Sequence, residues 1–374
     1  MVKMEREEVW GKNESEGIFL AVLQMVSGIG QARIKALTHH FGSARQAWQA
    51  SRRDLFLSQC LDETTCNNLY KQREKIDIEL LATGWRKAGI RICLLTDPAY
   101  PQLLKNIFDP PLALYYRGQL PQDNDSIAIV GTRRSSIYGK NAAELFGSRL
   151  AAAGLLIISG AARGIDTAAH RGAMQQGKTL AVLGCGVDVA YPPENAKLLR
   201  AIAETGAVVS EYPPGTPPHK SYFPARNRII SGLSRAVMVI EAGEKSGALI
   251  TVDFALEQGR DVYAVPGSIF SGVSAGTHRL IKQGAKLVDS VEDVLEDYEI
   301  IPVKPPDPEQ LTGDEQTVIR YIGYDRSSSS EEIVVQSHLP ASEVSCLLLQ
   351  LELRGLIASL PGNCYVRTAQ EGHR

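Results

Sequence analysis

Between residues 126 and 267 the chain repeats one pattern: a short run apolar at nearly every position, then a longer stretch with an apolar side and a polar side. The apolar runs are SIAIVG, LLIISG, TLAVLGCG, AVVSE, AVMVIEA and DVYAVPG, and YGKNAAELFGSRLAAAG is the first of the longer stretches. Strands that lack a polar face are buried on both sides, which predicts a parallel sheet covered by helices. The alternation makes residues 88–297 a doubly wound α/β domain.

The flanks read differently. Residues 1–14 are charged and read as a disordered N-terminus, and residues 15–87 carry helical periodicity. Within them VSGIGQARIKALTHHF is a helix, a Gly-Ile-Gly turn and a second helix. Two readings stand: a helix-hairpin-helix whose turn amides meet a phosphate, or an ordinary αα-hairpin. IPVKPPDPEQL marks a proline-rich linker over residues 298–311. In residues 312–368, GDEQTVIRYIGYD, SSEEIVVQS and PASEVSCLLLQLELRG predict three helices, and LIASLPGNCYVRT predicts a hairpin. That order suggests a winged helix.

Charge narrows the function. Lys and Arg number 40 against 42 Asp and Glu, so any polyanion site must be local. Residues 311–368 hold seven acidic side chains and four basic ones, and a recognition helix carrying Glu343 and Glu352 repels phosphate. A protein contact suits that domain better. The six cysteines form no C-x-x-C pair, which points to core thiols in a reducing compartment. No apolar signal core opens the chain, and the longest weakly polar run, LAAAGLLIISGAA, is too short to span a bilayer. A cytoplasmic protein without a membrane partner is expected.

In a doubly wound sheet, ligands bind at the carboxyl ends of the strands. GTRRSSIYGK, GAARGID and GEKSGALIT stand there, and glycine amides, helix N-termini, Ser and Arg together suit an anion. GCGVDVAYP lacks the third glycine of a dinucleotide fingerprint, and seven residues separate Gly131 from Gly139-Lys140, so no Walker A is present. Asp166 and His170, one helical turn apart, suggest a surface or capping pair. No catalytic set and no metal-ligand set emerges, and no cofactor is expected. KSYFPARNRIISGLSR, residues 220–235, brings four cations and two aromatics into one segment. Cations for phosphates and aromatic faces for bases are what a single strand of nucleic acid requires. Pro224 predicts an extended Phe223 and a helix beginning near Asn227.

These segments resemble the DNA-processing protein A (DprA, also called Smf) family. The resemblance is carried by DPAYPQLLKNIFDPPLALYYRG, IAIVGTRRSSIYG, ISGAARGIDTAAHRGAM, KSYFPARNRIISGLS, EAGEKSGALITVDFALEQGRDVYAVPG and GTHRLIKQGAKLV, which cover nearly all of the central domain. It implies a non-catalytic protein that binds incoming single-stranded DNA in natural transformation and loads RecA recombinase onto it, with single-strand-binding protein a possible further partner. It also implies an extended Rossmann-like fold for the central domain, a sterile-alpha-motif-like or helix-hairpin-helix front and a winged-helix back. By motif, the DNA contacts fall on Arg133, Ser159, Gly160, Ala161, Arg163, Lys220, Phe223, Arg226 and Asn227, with Gly243, Ser246 and Gly247 lining the same groove. A homodimer through the late segment places Leu280, Ile281 and Leu287 at its contact. The rival readings are a LOG-like nucleotide phosphoribohydrolase and a nucleotide-sensing Rossmann protein. EAGEKSGALITV lacks the Pro-Gly-Gly turn and the following Glu of the first, and the second leaves the aromatics unexplained.

Overall fold

The computed structural model describes residues 12–121, 125–301 and 311–368, so most of the expected disordered start and of the proline-rich linker lies outside it, whereas residues 12–14, expected to be disordered, belong to the first helix. Helices α1 (Lys12–Gln24), α2 (Gln31–Phe41), α3 (Ala44–Gln49), α4 (Arg52–Leu57), α5 (Glu63–Lys75) and α6 (Ile78–Lys87) come first. Strand β1 (Arg91–Leu94), helix α7 (Gln102–Lys105) and strand β2 (Ala113–Gly118) follow. The alternating region then runs β3 (Ser126–Val130), α8 (Ile137–Ala152), β4 (Leu156–Ser159), α9 (Ile165–Gln176) and β5 (Thr179–Leu183). It continues with α10 (Ala196–Thr205), β6 (Ala207–Ser210), α11 (Tyr222–Gly232), β7 (Ala236–Val239), α12 (Ala248–Glu257) and β8 (Asp261–Ala264). After α13 (Ala275–Lys282), β9 (Lys286–Leu287) and α14 (Glu292–Asp297) come α15 (Gly313–Arg320), β10 (Ser328–Ser329), α16 (Ser330–Ser337), α17 (Ala341–Leu353), β11 (Ile357–Leu360) and β12 (Cys364–Arg367).

The chain folds as two compact units. Of the described residues, the first takes those before 125 together with Leu180–Arg235 and Glu257–Gly259, and the second takes Asp125–Thr179, Ala236–Leu256 and those from Arg260 onward. In the first unit, the helices begin where a short polar side chain caps them. Ser43, Ser51, Asp62 and Asp77 each accept the N–H three residues on, which satisfies an amide with no partner inside its helix. Leu23, Ile34, Leu37, Leu55 and Leu69 fill the space between them. At the Gly-Ile-Gly turn, Gly28 adopts φ 93° and its carbonyl accepts from Arg33, which also pairs with Asp62 at 2.6 Å. The Gly28 carbonyl is thus engaged by a side chain, while the start of α2 at Gly30 receives no side-chain cap. The strands of this unit run in the order β1-β2-β6-β5, with β1–β2 and β2–β6 antiparallel and β5–β6 parallel. The antiparallel pair lies before the alternating pattern begins, and that pattern carries no sign of it.

The second unit orders its strands β4-β3-β7-β8-β9, every pair parallel. Each residue of β3 and β7 is buried, as expected of strands covered on both faces. Ile127, Ile129, Ile157 and Met238 pack with Phe146 and Leu150 of α8 and Ala169 of α9. Residues 311–368 form a three-helix core on Val318, Ile333, Leu348 and Leu351, with an antiparallel sheet β10-β12-β11. This is a winged helix. Thr312 and Ser329 begin α15 and α16 with reciprocal caps to Glu315 and Glu332. Cys66, Cys93 and Cys185 are buried thiols, whereas Cys346 is exposed and does not fit the core-thiol expectation.

Candidate nucleic-acid interface

In the second unit, parallel pairing puts the carboxyl ends of β4, β3, β7 and β8 on one edge. The loop after β3 is held by Glu241, buried just beyond β7. Its carbonyl accepts Thr132 N–H at 2.8 Å, and its carboxylate accepts Ser136 N–H at 3.0 Å. Ser136 in turn caps α8. Arg133, Arg134 and Lys140 remain exposed on this loop and the start of its helix.

The loop after β4 turns inward more than its composition suggests. Ser159 is fully buried and its hydroxyl donates to Ile129 O at 2.7 Å. The N–H groups of Gly160 and Ala162 lie 3.2 and 3.3 Å from Asp166 Oδ2. Ala161 is buried at φ 52°. Gly164, at φ 78°, begins α9 where a Cβ would strike Thr132 O. Asp166 is therefore a capping group, in keeping with that reading of its spacing. His170 is not on a surface: it is fully buried, with Nδ1 2.7 Å from Thr179 Oγ1. Arg163 is the exposed side chain of this loop. After β7, Gly243 and Ser246 are half-buried and Gly247 exposed, with Ser246 N–H closing a turn onto Gly243 O at 3.1 Å.

In the first unit, the basic segment divides in two. Arg226 is 4% exposed and donates to Val182 O at the end of β5, so it is a buried structural cation rather than a groove-facing one. The reason is helical phase. Arg226, Ile229, Ile230 and Leu233 share the buried face of α11. Arg228 pairs with buried Glu211, which also accepts from Gln31 at 2.7 Å. Burial pushes the Glu211 carboxyl above its usual range, and Arg228 opposes that shift. Lys220 and Arg235 remain exposed, and Asn227 is half-buried.

Phe223 is not extended. It lies in the first turn of α11, which starts at Tyr222 rather than near Asn227. Pro224 is tolerated there because a first-turn amide needs no partner within the helix. The Phe223 ring stacks on Tyr191 with centroids 5.2 Å apart and planes at 26°, and a Cβ at Gly184 would lie 2.9 Å from it. Tyr191 is 37% exposed. Beside this pair, Tyr222 stacks on Tyr212 at 4.2 Å. Tyr191 and Tyr212 were not singled out from the sequence, although each follows a buried strand on the loop where a ligand-facing group belongs. Of the expected dimer residues, Leu280 is 6% exposed and packs within its own unit, Leu287 is 45% exposed on edge strand β9, and Ile281 is half-buried.

Parallel strands ending in glycine-rich loops with exposed arginines define a Rossmann-like protein whose strand-end edge suits an anionic ligand. The comparisons then give the family. Residues 91–299 match the model of DNA recombination-mediator protein A, and residues 302–363 match the DprA winged helix domain. The chain belongs to this DprA/Smf family. It is 34% identical to Protein Smf of Synechocystis, over 95% of this chain and 99% of that one. It is similar to the X-ray structure of DprA from Streptococcus pneumoniae, with TM-score 0.63 and 38% identity over 75% of this chain and 97% of that one. A DprA structure from Helicobacter pylori, described for its single-stranded DNA binding mode, matches at TM-score 0.51 and 30% identity over 56% of this chain and 96% of that one.

Proposed function

We propose that this chain binds single-stranded DNA during recombination and presents it to RecA recombinase. The observation that carries the reading is the separation of cations by role. Arg226 and Arg228 are largely buried, at 4% exposure for Arg226 and 13% for the Arg228 side chain, whereas Lys220, Arg133 and Arg163 are exposed on the ligand-facing loops. Lys220, three residues before the Tyr191–Phe223 stack, meets phosphate, and Phe223 receives an unstacked base. Asn227, Gly243, Ser246 and Gly247 add polar and amide contacts. Ser159, Gly160, Ala161 and Arg226 act by shaping the loops and the helix behind them.

The protein acts by binding rather than catalysis. What supports this is that the two buried carboxylates of these loops, Asp166 and Glu241, are occupied in holding backbone amides. RecA loading, a homodimer through Ile281 and Leu287, and cooperation with single-strand-binding protein are part of this proposal. Among the described residues no helix is long and apolar enough to cross a membrane. The test is a titration with a labelled oligonucleotide in competition with a nucleoside monophosphate. Saturable binding that the mononucleotide fails to displace supports a strand-binding site, and full displacement at equal nucleotide concentration favours the nucleotide-sensing alternative. RecA loading is checked by filament formation on DNA precoated with single-strand-binding protein.

A further inference from the structure

The loop that joins β8 to α13 has a firmly held base and an apolar tip. At its base Ser274 is 3% exposed, Gly276 N–H donates to Ala242 O at 2.7 Å, and His278 Nε2 lies 3.0 Å from Gly267 O. At its tip a tight turn, with Ser271 N–H bonded to Ser268 O at 3.0 Å, carries Ile269 at 82% exposure and Phe270 at 93%. Folding gains nothing from these two large side chains in water. The loop belongs to the second unit and follows a strand parallel to β7, so it leaves the sheet on the same edge as the loops after β4, β3 and β7. It also packs on the loop after β7, where a Cβ at Gly243 would lie 3.5 Å from Gly272 O. Within these two loops the exposed charges are Glu244 and Lys245, Glu241 being buried, and the remaining polar groups are serines and backbone amides.

We infer that Phe270, backed by Ile269, is a second base-stacking element that extends the single-strand path along the strand-end edge to β8. The inference rests on the single-strand reading above and adds a site to it. Size decides between occupants. A stable protein contact needs roughly 800 Å² on each partner, far more than two side chains on a loop tip supply. One aromatic face is enough for one base, and stacking accepts any base because each has a π-face.

The experiment uses the full chain and a fluorescein-labelled oligothymidine 20-mer, read by anisotropy. Phe270→Ser is expected to weaken binding roughly tenfold, within the range for loss of one stacked base, with thermal midpoint and solution mass unchanged. Phe270→Trp is expected to keep the affinity, and its added emission relative to wild type is expected to be quenched by unlabelled 20-mer, which a merely structural loop would not produce. Wild-type affinity in Phe270→Ser overturns the inference. So does an unquenched Phe270→Trp, or a fall in solution mass in Phe270→Ser, which makes the tip a contact between copies. If the wild-type chain itself does not bind the 20-mer, the single-strand reading fails first and this site falls with it.

Discussion

Lys220 and Arg226 stand six positions apart and look alike in composition, yet one is exposed and the other holds a strand end. Replacing each with alanine therefore separates binding from stability. Lys220→Ala is expected to lower single-strand affinity and flatten the log–log salt slope by about 0.7 for the lost phosphate contact. Arg226→Ala is expected to cost roughly 1–3 kcal/mol of stability by leaving the Val182 carbonyl without its donor. Calorimetry and a salt titration of both variants check the pair. Phe223→Ala belongs with Lys220: it is expected to cost roughly 1–3 kcal/mol of affinity without flattening the slope. Tyr191→Leu removes the ring that backs it, and a smaller loss of affinity in the same titration is expected. Arg228→Ala instead acts on the fold, because Glu211 is left buried without its cation, at a cost of about 3–5 kcal/mol at neutral pH. The sign follows from linkage. Burial raises the folded carboxyl above its ordinary 4.5, so its protonated form is favoured in the fold, and the stability this gives is lost as pH rises through the folded value. The deficit in Arg228→Ala should therefore shrink below pH 4.5 and grow toward neutrality.

At the scale of elements, the parallel strands and the loops after them were readable because doubly buried strands leave no polar position to obscure them. Helix α11 was not, and the reason is physical. Pro224 predicts an extended Phe223, which moves the expected start of the helix beyond the residues that decide its phase. Starting at Tyr222, the spacing 226, 229, 230, 233 places Arg226 on the buried stripe, so the signal was present but its origin was misplaced. The inward donors of the β4 loop were equally unreadable, since glycine and serine report that backbone can approach a ligand and not which way it points. The winged helix offers an element-scale test. Burial pushes the Glu315 carboxyl up, but the Thr312 cap and the Arg354 pair outweigh this and hold it below its ordinary 4.5. Its contribution is full above that value and is lost as pH falls through the lower folded one. In acid titrations followed by circular dichroism, Arg354→Ala is expected to unfold the winged helix at a higher pH than wild type does.

For the whole molecule, two of the four arginines in residues 311–368 are engaged inside the winged helix. Arg354 pairs with Glu315, and Arg367 donates to Ile319 O at 2.9 Å with its guanidinium 5.3 Å from the Tyr324 ring centre. The acidic excess at its surface is thus sharper than the composition alone indicates, and deletion of residues 305–374 is expected to leave single-strand affinity within about twofold, well under one lost phosphate or base contact. The central claim is that the exposed cations and half-buried rings of the α/β region read a single strand. It is tested most directly by titrating the full chain with single-stranded and blunt duplex oligonucleotides of equal length across a range of salt. The account predicts tighter binding of the single strand, since stacked bases cannot reach Phe223, and a log–log slope near −3 to −4 for about four to six neutralised phosphates. Equal affinity for the two forms, or affinity indifferent to salt, would contradict it.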